Sequence, residues 1–139
     1  MSYHLKKIAV GIETIERLYV RQKMIKETYG TILHTTRNMP KKREDLIKTG
    51  SMFWIIKRKV LVRQKILDIL SVIRSDGSKG CEIELDKKLI RVIPTPMKPF
   101  QGWRYYLEED IPRDLNLDEE TDENLPDNIN AELIKLGLY

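Results

Sequence analysis

The stretch SMFWIIKRKVLVRQKILDILSVIR, residues 51–74, decides how the rest of the chain is read. It opens with Phe53, Trp54, Ile55 and Ile56, a short apolar run of the kind that fills a buried strand, whereas residues 60–70 fit either a helix or a long strand. Val60, Val62, Ile66, Ile69, Val72 and Ile73 are β-branched. Such side chains lose rotamer freedom in a helix and pack well on a pleated surface, so the segment is read as strand. Ser75, Asp76 and Gly77 then supply a turn. After it Cys81, Ile83 and Leu85 alternate with Glu82, Glu84 and Asp86, as expected of an antiparallel strand with one face buried and one in water.

Working outward, residues 3–10 place Leu5, Ile8 and Val10 in loose alternation and end at Gly11, which predicts a first strand. Thr14 is a hydroxyl N-cap for a helix with Ile15, Leu18, Ile25 and Tyr29 on one stripe, stopped by Gly30. Arg17, Arg21, Lys23 and Lys26 fall on its other faces as a solvated surface. Residues 31–37 read as a second strand, ended at Asn38, Met39 and Pro40, and a short helix runs from Lys41 or Lys42 to residue 49 with Gly50 as its C-cap. Residues 89–93 give one more strand. Pro94, Pro96 and Pro99 then force an extended segment into residues 100–106, where no regular structure is expected, and a short helix is expected at residues 129–138.

These elements predict an α+β fold, a bent, mostly antiparallel sheet or small pseudobarrel with two N-terminal helices. Residues 1–107 form a basic α+β domain and residues 108–139 an acidic C-terminal tail. At 139 residues the chain has room for one domain that buries about two thirds of its unfolded surface.

Charge is divided unevenly. Residues 1–106 hold 23 Lys and Arg against 10 Asp and Glu, and residues 107–139 hold 2 against 11, so a body of +13 carries a tail of −9. A basic body attracts polyanions by releasing their counterions, which makes RNA or a nucleotide the first partner to consider. The acidic block between Glu108 and Asp127 either folds back over basic surface, competes with a polyanion, or keeps the protein soluble.

Cys81 is the only cysteine, so the chain has no disulfide partner within itself and no cysteine-rich metal site, which fits a cytoplasmic protein. No uncharged run is long enough for a membrane span. His4 and His34 lack carboxylates at ligand-like spacing, so no metal is expected, and no glycine-rich phosphate loop implies a cofactor. Ser51 lacks a nucleophile elbow and Cys81 an adjacent base.

Candidate ligand residues come from two sources. Arg37, Lys41 and Lys42 flank a proline turn, and Lys57, Arg63 and Gln64 lie near predicted strand ends; guanidinium and ammonium groups there suit phosphate. Gln101, Trp103 and Arg104 belong to the run FQGWRYY, residues 100–106, whose rings and guanidinium plane suit base stacking. The competing role for Phe100 and Trp103 is a clasp buried against the sheet.

Several segments also carry a family resemblance: His4, Leu5, Val10 and Gly11; Thr36, Arg37, Met39, Pro40 and Lys41; Gly50, Ser51 and Trp54 to Lys57; Arg63, Gln64, Ile66 and Leu67; and Pro99 to Tyr105. Together they resemble a family of short alphaproteobacterial proteins designated a domain of unknown function. Phe53 stands where tyrosine is expected in that family, and Arg58 where glycine is expected for a tight turn after Lys57. The resemblance implies a bacterial cytosolic protein and transfers no catalytic residue. The order of elements is similar to the small RNA-binding pseudobarrels called PUA-like domains, an analogy of fold alone. A nucleic-acid-binding module is the leading expectation. An enzyme acting on a phosphorylated small molecule or nucleotide, with Glu82 or Glu84 as its acid, and a protein-interaction adaptor using the tail both stay open.

Overall fold

A computed structural model describes residues 2–115. Seven strands and two helices follow the order β1 (Tyr3–Ile8), α1 (Ile15–Tyr29), β2 (Ile32–Thr36), α2 (Arg43–Thr49), β3 (Ser51–Ile56), β4 (Lys59–Ile73), β5 (Lys79–Leu85), β6 (Ile90–Pro96) and β7 (Trp103–Leu107). The class is α+β. The strands form one mixed sheet in the order β2-β5-β4-β3-β1-β7, with β6 also paired to β4. Only the β1–β3 pairing is parallel among the described strands.

The ambiguous stretch is strand throughout, and burial shows why. Val60, Val62, Gln64 and Ile66 are buried while Lys59, Leu61, Arg63 and Lys65 are exposed or half-buried, a period of two that no helix satisfies. The first part of β4 lies between β3 and β6, with Val62 opposite Trp54 on one side and Arg91 on the other. Past a register shift at Ile66 and Asp68, β5 continues along the edge that β6 occupied. The sheet bends so far that His34 on β2 meets Trp54 on β3, rings 5.2 Å apart and perpendicular, although two strands separate them in the sheet.

β3 is buried on both faces. Met52, Trp54 and Ile56 join the larger core inside the bend, together with Leu5, Ile15, Leu18, Ile69 and Ile83. Phe53 and Ile55 face a smaller cluster with Val60, Val92 and Tyr106, against which Phe100, Met97 and Ile111 pack. β5 alternates as expected, with Cys81, Ile83 and Leu85 inward and Glu82 and Glu84 half-exposed.

The two helices follow β1 and β2 in turn. Thr14 Oγ1 accepts from the Arg17 N–H at 3.1 Å, and the N–H of Gly30, at φ 82°, donates to the Lys26 carbonyl at 2.7 Å. The buried stripe of α1 differs from the one expected: Tyr29 is exposed, and Gln22 takes an inward position with Ile15 and Leu18. Gly50 closes α2 in extended backbone instead of a left-handed cap. Its reason is space, because a Cβ there would lie 2.7–2.8 Å from Leu46 backbone and the Tyr3 carbonyl.

Four further differences stand out. β6 runs on through Pro94 and Pro96, which a strand tolerates where the missing N–H is not needed. β7 is a regular strand at Trp103–Leu107, where none was expected, paired antiparallel to β1. The sheet is open, since its end strands β2 and β7 do not pair, so the pseudobarrel expectation is not met. The tight turn after Lys57 forms without glycine: Lys57 and Arg58 sit at φ 51° and 65° between the paired Ile56 and Lys59. Left-handed backbone of this kind costs a residue with a Cβ about 1–2 kcal/mol.

After Leu107 the chain returns to the body. The Ile93 N–H donates to the Arg113 carbonyl at 2.9 Å and the Leu115 N–H to the Arg91 carbonyl at 3.0 Å. The rest of the acidic segment and the helix expected at residues 129–138 lie outside the described residues.

Candidate functional site

A cleft of about 590 Å³ opens between the two unpaired ends of the sheet. Lys7 reaches it from β1, Thr36, Arg37 and Asn38 from the end of β2, Arg74 from the end of β4, and Gln101, Gly102 and Trp103 from the start of β7. Three of these side chains are cationic. No carboxylate is among the described lining residues.

The Asn38 carbonyl holds the cleft together. It accepts from the Trp103 indole N–H at 2.9 Å, from the Thr36 hydroxyl at 3.2 Å and from the Cys81 thiol at 3.2 Å, tying β2, β5 and β7 at one oxygen. Trp103 is half-buried, its ring 5.0 Å from that of Tyr105 at 75°, so the orientation of the indole is set from two directions. Arg74 is set by Gly80, since a Cβ at that glycine would lie 2.8 Å from Arg74 Cγ and Cδ. The absent side chain leaves room for the arginine stem beside the Thr36 carbonyl.

Electrostatics at the cleft run one way. Burial pulls the Lys7 ammonium below its usual pKa. Lys7 also lines a cavity of about 140 Å³ beneath α1, together with Arg21, His34 and Trp54. There His34 is held down to about 4, first by burial and then by the charges of Lys7 and Arg21. Imidazole is thus neutral at pH 7, chiefly because it is buried, with the two nearby cations adding to the effect.

Of the residues singled out in the sequence, Arg37, Gln101 and Trp103 meet in this cleft, and the others lie elsewhere. Lys41 is exposed in the turn that precedes α2. The Lys42 N–H donates to Tyr105 Oη at 3.1 Å, and its ammonium lies 5.3 Å from the Tyr3 ring centroid. Lys57 is at the tip of the β3–β4 hairpin. Arg63 forms a two-pronged pair with Asp114, both contacts 2.7 Å, and donates to Ser51 Oγ at 3.1 Å; the Asp114 hydrogen bond raises its pKa further. Gln64 is fully buried and bonded to Gln22, Trp54 and the Asp86 carbonyl. Arg104 points to the other face of β7, its guanidinium 4.9 Å from the Phe100 ring centroid. Phe100 packs against the smaller core cluster as a clasp.

Lys7 and Arg74 escape the sequence reading. Lys7 shares the inward parity of Leu5 and Ala9, and a lysine at such a position of a half-buried strand was the available signal. Arg74 follows the last β4 residue and carries no local mark.

His4, Ser51 and Glu108 contain the residue types of a hydrolytic triad without its geometry. His4 Nδ1 accepts from the Ser51 backbone N–H at 3.0 Å, which leaves the proton on Nε2 to donate to Glu108 Oε1 at 3.0 Å. Ser51 is buried and its Oγ accepts from Arg63, so no exposed nucleophile exists there. Among the described residues no group of three His, Cys, Asp or Glu side chains is placed to hold a metal, and no helix is long and apolar enough to cross a membrane.

No curated protein and no solved structure matches the chain. One family does, over residues 5–139, and the chain therefore belongs to the family described as Protein of unknown function (DUF1489).

Proposed function

We propose that this chain binds nucleic acid, with RNA or a modified nucleotide as its ligand, through the cleft between β2 and β7. The observation that carries this is the lining: Lys7, Arg37 and Arg74 converge on one cavity that has no carboxylate among its described lining residues, beside an indole held by Asn38. The cations neutralise phosphates, Trp103 offers a face to a base, and Gln101 can read a base edge. A cavity of about 590 Å³ is of small-ligand size and accommodates one nucleotide unit. The acid–base enzyme considered from the sequence would use Glu82 or Glu84, and neither lines this cleft. The likeness to PUA-like RNA-binding modules rests on element order alone, and a lone thiol suits a reducing cytosol.

Fluorescence anisotropy with a labelled oligouridylate, titrated across a range of salt, tests this. Affinity is expected to fall steeply with salt, and Arg37→Ala and Arg74→Ala each to reduce the log–log salt slope by about 0.7. Trp103→Ala is expected to weaken binding about tenfold. Salt-insensitive binding, or full affinity in folded Arg37→Ala and Arg74→Ala proteins, overturns the proposal.

A further inference from the structure

The β3–β4 hairpin turns on the wrong residues for stability. Two-residue turns with positive φ at both central positions favour Asn-Gly, yet Lys57 and Arg58 occupy them here at φ 51° and 65°. Backbone held in this region by residues with side chains costs stability and is concentrated at functional sites. Both side chains are exposed, and neither forms an ion pair among the described residues. Lys59, next in sequence, is exposed as well.

The tip borders a groove of about 410 Å³ whose apolar walls include Ile8, Val10, Met97 and Pro99, and whose only acid among the described lining residues is Glu13. The groove and the cationic cleft are neighbours along one segment, because Pro99 lines the first and Gln101 the second. Two residues of extended chain span at most about 7 Å. A ligand leaving the cleft past Gln101 therefore meets apolar surface and then two cations that have no ion-pair partner among the described residues.

We infer that the cleft and this groove form one track for a single strand of nucleic acid, with the Lys57–Arg58 tip gripping phosphates several nucleotides from the unit seated beside Trp103. This rests on the cleft being a nucleic-acid site. A single strand fits the alternation of charge and apolar surface, since its phosphates and its base faces are both available, whereas a duplex hides the base faces. Two separate anchoring points, the cleft and the tip, set the substrate class: an oligonucleotide and not a free nucleotide.

Labelled oligouridylates of one to about nine nucleotides, titrated against the full chain and its Lys57→Asn, Arg58→Gly double variant, test the inference. The wild type is expected to gain at least tenfold in affinity as the strand lengthens to about eight nucleotides. The double variant places the favoured residues in the turn, so its urea midpoint is expected to rise. It is expected to keep wild-type affinity for uridine monophosphate, lose most of the gain with length, and show a single-strand salt slope lower by about 1.4. Affinity independent of length, or a double variant that binds long strands as the wild type does, overturns the track while Arg37-dependent binding of the mononucleotide leaves the cleft standing. Tip-dependent binding of a polyglutamate peptide with no gain from oligonucleotide length overturns the track in favour of an acidic protein partner. Absence of binding to every oligonucleotide removes the cleft and the track together.

Discussion

His34 is a titratable group placed where its charge is opposed from several sides. It lies largely buried against Trp54, with Nε2 out of solvent and without a hydrogen-bond partner among the described residues, and Lys7 and Arg21 add like charge. Its folded pKa of about 4 is below the 6.5 of an unfolded chain, so acidification protonates the unfolded state first. Above pH 6.5 the residue contributes no pH dependence. Between pH 6.5 and about 4 stability falls, by up to roughly 3 kcal/mol at the lower limit. His34→Phe removes the proton site and keeps a ring against Trp54, and its urea midpoint at pH 4.5 is expected to lie closer to its value at pH 7.5 than in the wild type. The sequence marked His34 as a strand residue without a ligand set, but the charges acting on it come from β1 and α1 and are visible only once those elements are placed.

At the scale of elements, Gln64 joins four of them. Its Oε1 accepts from Gln22 Nε2 on α1 and Trp54 Nε1 on β3, each at 2.7 Å, and its Nε2 donates to Gln22 Oε1 at 2.7 Å and to the Asp86 carbonyl after β5 at 2.9 Å. All four hydrogen-bonding positions of the amide are filled, at a fully buried site. Gln64→Leu keeps much of the volume but strands the Trp54 and Gln22 donors, and a loss of about 2–4 kcal/mol in chemical denaturation is expected. In the sequence Gln64 followed Arg63 and read as part of a basic, ligand-facing cluster. The alternation of β4 turns it inward, and Arg63, on the other parity, is taken up by Asp114. The lesson is physical: adjacent residues of a strand face opposite ways, so a cluster in sequence is divided between two faces.

Over the whole molecule, an open sheet is held in a nearly closed shape by a few polar contacts across its seam. On the Asn38 carbonyl the Trp103 indole of β7 meets Thr36 of β2 and Cys81 of β5. Trp103→Phe retains the ring but deletes the indole donor, leaving Thr36 and Cys81 on that oxygen. The expected outcome is a small loss of global stability, about 1 kcal/mol, with faster amide exchange confined to residues 37–39 and 101–103. Exchange unchanged at those residues would show that the seam does not depend on the indole. The seam also explains why a cleft exists, because strands that met there would exclude it.

Local chemistry determined much of this protein from the sequence alone. Thr14 and Gly30 bounded α1, the β-branched residues of β4 and the alternation of β5 identified those strands, and the division of charge between body and tail is composition itself. Those features depend on residues close along the chain. What only the tertiary structure decided was which cations share a space. Lys7, Arg37 and Arg74 are far apart in sequence and converge because the sheet bends until its two ends stand opposite each other, and the degree of that bend is set by core packing between distant strands.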